Sequence, residues 1–165
     1  MKSRVRLLGH PLHPMLIVFP LGLLGTAVIF DVLHIIDRQG PWAFLSFYLI
    51  GAGLIGGMVA ASVGLMDWLE IPGGTRAKQI GLMHAISNSM VMVLFFFSWL
   101  LRREVPAAPE MFALVLSVIG LAMSLVGGWL GGELVFRLSV GVEPNAHLNA
   151  PSSLTQNSIR GGAGD

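Results

Sequence analysis

Four apolar runs, separated by links of only a few residues, constrain this chain more than any other feature in it. They cover residues 14–36, 42–70, 78–102 and 109–136. A hydrocarbon core of roughly 30 Å is crossed by about 20 apolar helical residues, so each run predicts one transmembrane helix. The links carry turn chemistry: Asp37-Arg38-Gln39-Gly40-Pro41, then Pro72-Gly73-Gly74, then Glu104-Val105-Pro106 leading to Pro109. Links this short force antiparallel neighbours, which gives an all-α, up-down four-helix bundle in a lipid bilayer. Residues 141–165 turn polar, with Pro144, Asn145, Pro151, Ser152, Ser153 and a final GGAGD. A disordered, solvated tail is expected there.

Orientation follows from two signals. Trp42 and Trp99 fall at one set of helix ends and Trp68 and Trp129 at the other, as expected of rings that prefer the headgroup layer. Lys2, Arg4, Arg6, Arg76, Lys78, Arg137 and Arg160 lie on one side, against Arg38, Arg102 and Arg103 on the other. The positive-inside rule then puts both termini in the cytoplasm of a bacterial inner-membrane protein. The basic start resembles a signal peptide, but the first run is too long and lacks a small-residue cleavage site before Asp31, so it should be retained. A net charge of +1 and the lack of any basic motif exclude nucleic acid as a partner. No cysteine is present, so metal or redox chemistry must use His, carboxylate or Met ligands.

The first run opens with two His-Pro pairs, His10-Pro11 and His13-Pro14. Proline restricts the residue before it and is welcome in a helix's first turn, so His13 is expected at the helix boundary with the helix starting at Pro14. If the preceding residues run as polyproline II, His10 stacks above His13. Small residues mark inward faces: Gly53, Gly57, Ala60, Gly64 and Asp67 on the second helix, Ser117, Gly120, Ser124, Gly127 and Gly131 on the fourth. With alternating helix directions, the cytoplasmic end gathers His10, His13, Asp67, Glu70, His84, Asn88 and Glu133. Counting from Trp99, His84 lies roughly 22 Å from the far interface, inside the hydrocarbon. Asp67 and Glu70, three residues apart, can meet a histidine across the bundle, with Asn88 as polar support one turn from His84. The opposite end offers only Asp31, His34 and loop charges, where Asp31 with His34 reads as an interfacial cap. Phe95, Phe96 and Phe97 read as lipid-facing, and His147 as a tail residue without a role.

The segments HPLHPMLIVFPLGLL at 10–24, GLMDWL at 64–69, LMHAISN at 82–88 and GGWLGGELVFRLSVGV at 127–142 resemble the bacterial membrane family known as domain of unknown function 2231. The likeness spans residues 8–142 and implies four transmembrane helices, with no established activity. Many members carry a histidine just before the Phe-Pro of the first helix; Val18 stands there in this chain, so that histidine's role does not transfer. Relatives in which the domain neighbours Rieske-type or cytochrome c modules imply an electron-transfer setting with a redox partner protein.

Three functional readings follow. In the first, the bundle holds a b-type haem, with His13 and His84 as axial ligands and His10 as a substitute or outer partner. In the second, a divalent metal takes His84 with Asp67, Glu70 or Glu133. In the third, the protein is a structural, partner-binding or proton-linked subunit, and an Asp67–His84 contact only fastens helices. Glu133 with Arg137 is also an ordinary i, i+4 pair. No catalytic motif supports an enzyme on its own, and the glycine stripes would serve a homo-oligomer as well as a monomer.

Overall fold

A computed structural model describes residues 2–154 of the chain. A two-stranded hairpin, β1 (Arg6–Leu7) and β2 (His10–Pro11), leads into α1 (Leu12–Leu16), α2 (Val18–Ile36), α3 (Trp42–Leu69), α4 (Arg76–Leu101), α5 (Met111–Gly132) and a π-helical turn at Glu133–Arg137. Four stretches are long and apolar enough to cross a membrane: Leu12–Ile36, Trp42–Leu69, Arg76–Leu101 and Met111–Arg137. They coincide with the four runs in the sequence to within a few residues.

Two local departures have physical causes. The first span breaks at Ile17, because Pro20 has no N–H to give the Leu16 carbonyl and the ladder loses a rung. The helix also starts at Leu12, behind an extended Pro11 (φ −56°, ψ 129°), rather than at Pro14. His13 is therefore inside a helical turn and His10 is on a strand, so the two imidazoles do not stack. The turn of the hairpin is Leu8-Gly9, both at positive φ (50° and 86°), the combination a two-residue hairpin turn demands.

Helices α2 and α3 form one closely packed hairpin and α4 and α5 another, with sparser contact between the two. The buried core runs through Leu24, Ala27 and Val28 of α2, Ile50 and Leu54 of α3, and Val91 and Phe95 of α4. Phe95 is fully buried and lies against Gly120, contrary to the lipid-facing expectation, while Phe96 and Phe97 do face outward. The predicted small-residue stripes are the contact faces: Gly53, Gly57 and Ala60 are buried, as are Ser117, Gly120 and Gly127.

Between α3 and α4, the Thr75 hydroxyl caps α4 by accepting the Lys78 N–H at 3.1 Å. The Lys78 ammonium donates to the Trp68 carbonyl at 2.8 Å and sits 3.9 Å over the Trp68 ring. The described chain ends meet at this same, proximal end of the bundle. Glu143 pairs with Lys2 at 3.1 Å and with Arg6, and the Ser153 hydroxyl donates to the Leu8 carbonyl at 3.0 Å. Residues 141–154 thus form turns beside the N-terminal hairpin, and residues 155–165, with Arg160, lie outside the described residues. The distal end carries the links at 37–41 and 102–110.

Candidate functional site

His13 and His84 come together at the proximal end. His13, on α1, points its Nδ1 at the Ala60 carbonyl of α3 at 2.8 Å. His84, on α4, points its Nδ1 at the Gly127 carbonyl of α5 at 2.9 Å. A carbonyl only accepts, so each neutral ring carries its proton on Nδ1 and keeps a lone pair on Nε2. The two rings stand edge to face, centroids 6.3 Å apart and planes at 83°. Each ring belongs to a different helical hairpin and is anchored within it, so the pair bridges the two halves of the bundle.

Glycine makes both anchorages possible. A Cβ at Gly64 would fall 2.8 Å from the His13 ring, and one at Gly131 would fall 3.3 Å from His84. Asn88 supports His84 from one turn along α4: its amide donates to the His84 carbonyl at 2.8 Å and stands 3.4 Å from Nε2. The Asn88 amide also packs on the bare Gly127.

The carboxylates expected to join these histidines go elsewhere. Asp67 accepts from the Ser3 hydroxyl at 2.7 Å, the Arg4 N–H at 2.8 Å and the Val5 N–H at 3.3 Å, so it straps the N-terminal segment to the end of α3 rather than pairing with His84. Glu70 pairs with Arg4 at 2.9 Å. Glu133 pairs with Arg76 on α4 at 2.8 Å, not with Arg137 on its own helix, because the π-helical turn changes the register that an i, i+4 pair requires. His10 is exposed, with Nε2 3.3 Å from the Ser153 hydroxyl. Asp67, Glu70, Glu133 and His84 therefore do not converge. Among the described residues no group of three or more His, Cys, Asp or Glu is placed to hold a metal ion.

A second polar site lies at the distal end, where the sequence suggested only an interfacial cap. Asp31 and Arg102 are 1% and 0% exposed. Arg102 grips Asp31 with both terminal nitrogens, Nη1 to Oδ1 at 2.5 Å and Nη2 to Oδ2 at 2.8 Å. The Ser46 and Ser117 hydroxyls each donate to Asp31 at 2.6 Å, and Ser98 lies 3.0 Å from Nη2. Asp31 comes from α2, Ser46 from α3, Ser98 from α4, Ser117 from α5, and Arg102 follows α4 directly, so all four spans meet on one ion pair. His34, one turn along α2 from Asp31, is also buried. Arg102 resembled a loop charge in the sequence; the signal that could have found it was an acidic residue inside one span with a serine at matching height in each of the others.

Two carboxyls outside the spans have lowered pKa values. The Trp42 indole N–H at 3.1 Å, helped by the Gln39 N–H, holds Asp37 below the ordinary carboxylate range. Lys2, then Arg6, do the same for Glu143.

A family model described as predicted membrane protein (DUF2231) matches residues 9–144. No curated protein and no solved structure matches the chain.

Proposed function

Because the chain belongs to the DUF2231 family of membrane proteins, whose description assigns no activity, its role has to be read from its own side chains, and we propose that His13 and His84 are the axial ligands of a b-type haem in an electron-transfer-associated membrane subunit. The observation that carries this reading is the facing pair itself. The two imidazoles come from different helical hairpins and stand with centroids 6.3 Å apart, so these are the residues that would hold the group. Each Nδ1–H is held by a backbone carbonyl, which fixes the ring and makes Nε2 the better donor. Asn88 acts as a positioning residue for His84.

Haem fits this donor set better than a bare divalent ion does. Zinc and its neighbours ask for three or four protein ligands, whereas a haem brings four nitrogens of its own and asks for two. The carboxylates that would complete a divalent site are engaged with Ser3, Arg4 and Arg76. Bound there, the group would supply one-electron chemistry; the protein would orient the ligands and shield the site from water.

We place the proximal end in the cytoplasm of a bacterial inner membrane. Lys2, Arg4, Arg6, Arg76, Lys78 and Arg137 belong to that end, and burial of Arg102 removes one of the three basic residues counted on the other side. A redox partner would then approach from the cytoplasmic face.

The test is haem retention after gentle purification from cells with intact haem supply. His13→Ala and His84→Ala should each lose the group while remaining monodisperse, and His147→Ala should keep it. Equal retention in His84→Ala and His147→Ala would remove His84 as a ligand. Absence of haem from all of them would favour the alternative, in which the two rings only tie α1 to α3 and α4 to α5.

A further inference from the structure

The distal ion pair is nearly, but not entirely, satisfied from within the protein. Asp31 receives four donors, two from Arg102 and one each from Ser46 and Ser117. Arg102 also reaches Ser98 and the Ala113 carbonyl through Nη2. Its fifth donor, Nε–H, is buried and has no partner, and neither has Nδ1 of His34. Arg102 is fully buried and His34 is 5% exposed. In a membrane-spanning bundle an unpaired buried N–H has no bulk solvent to fall back on, so such groups are completed by other protein groups or by bound water.

We propose that the distal cluster is a hydrated site, in which buried water accepts from Arg102 Nε–H and hydrogen-bonds to His34 Nδ1. The occupant must be an acceptor toward Arg102, since a guanidinium N–H can only donate, and it must be able to act either way toward an imidazole nitrogen. Water meets both conditions. Asp31 cannot be the missing partner, because its two oxygens already carry four hydrogen bonds. Asp31 and His34 lie one turn apart on α2, and Asp37, just past the end of that helix, is exposed. The cluster lies at the opposite end of the bundle from the His13–His84 pair and does not depend on what that pair binds.

The experiment is magic-angle-spinning NMR of the full chain in proteoliposomes, with arginine and histidine 15N-labelled, sequential assignment, and polarisation transferred from water. Arg102 Nε–H and His34 Nδ1 should both receive water polarisation at short mixing times, as exposed Arg38 does and as a dry core site would not. His34→Phe should abolish the transfer to Arg102 Nε while leaving the Asp31–Arg102 resonances in place. Absence of transfer to both nitrogens would overturn the proposal, and so would transfer to Arg102 that His34→Phe leaves unchanged. If His34→Phe fails to fold, His34→Gln replaces it: an amide of similar reach should keep the water at Arg102, and loss of the transfer would count against it.

Discussion

Removing Arg102 would leave the buried Asp31 carboxyl among apolar helices with only the Ser46 and Ser117 hydroxyls for company. Breaking a buried ion pair from one side costs about 3–5 kcal/mol, whereas replacing both partners with apolar groups of similar volume is often close to neutral. Arg102→Ala should therefore destabilise the bundle by that amount, and Asp31→Leu with Arg102→Met should recover most of it, as read by thermal or SDS-induced unfolding in detergent. A double variant as unstable as the single would mean that the pair does more than neutralise its own charge. At the other end, Gly64→Val would push side-chain atoms into the His13 ring. Its expected signature is loss of the His13–Ala60 hydrogen bond, seen as a shifted His13 Nδ1 resonance, with the distal Asp31–Arg102 signals unchanged.

At the scale of elements, the N-terminal segment is held by charge rather than by packing. Asp67 gathers Ser3 and the Arg4 and Val5 amides, Glu70 takes Arg4, and Glu143 takes Lys2 and Arg6. The Glu143 carboxyl has a lowered pKa in the fold, so its contribution is fully present above the ordinary carboxylate value and is lost as pH falls through the lowered one. Amide exchange across residues 4–8, corrected for its intrinsic pH dependence, should stay protected at neutral pH and lose protection as the pH falls below the ordinary carboxylate range. Protection that persists in acid would show that the strap does not rest on these ion pairs. The helices themselves were legible in the sequence because hydropathy and turn residues report length directly. The register of the polar contacts was not. His13 sits on a turn that Pro20 interrupts, Asp67 answers to a segment more than sixty residues away, and Glu133 lies on a π-helical turn that no i, i+4 rule describes.

For the whole molecule, the bundle has two polar ends of different character. The distal end ties all four spans to one buried ion pair, while the proximal end joins its two hairpins through facing imidazoles. The sequence disclosed the proximal histidines because a deep His84 and a double His-Pro opening stand out. It hid the distal site because a lone Asp31 and a link arginine look ordinary until the fold brings them together. The chain contains no cysteine, so single introduced cysteines give a clean test of orientation. A cysteine at His147 should be blocked from impermeant maleimide in intact cells, one at Gln39 should be labelled, and the reverse pattern would invert the topology. Haem binding by the proximal histidines, proposed for this protein, is tested by the absorption spectrum of the gently purified protein, air-oxidised and then reduced with dithionite. A Soret band and visible bands that sharpen on reduction are expected, both lost in His84→Ala. A featureless spectrum from haem-replete cells, with no haem extractable from the sample, would contradict haem binding.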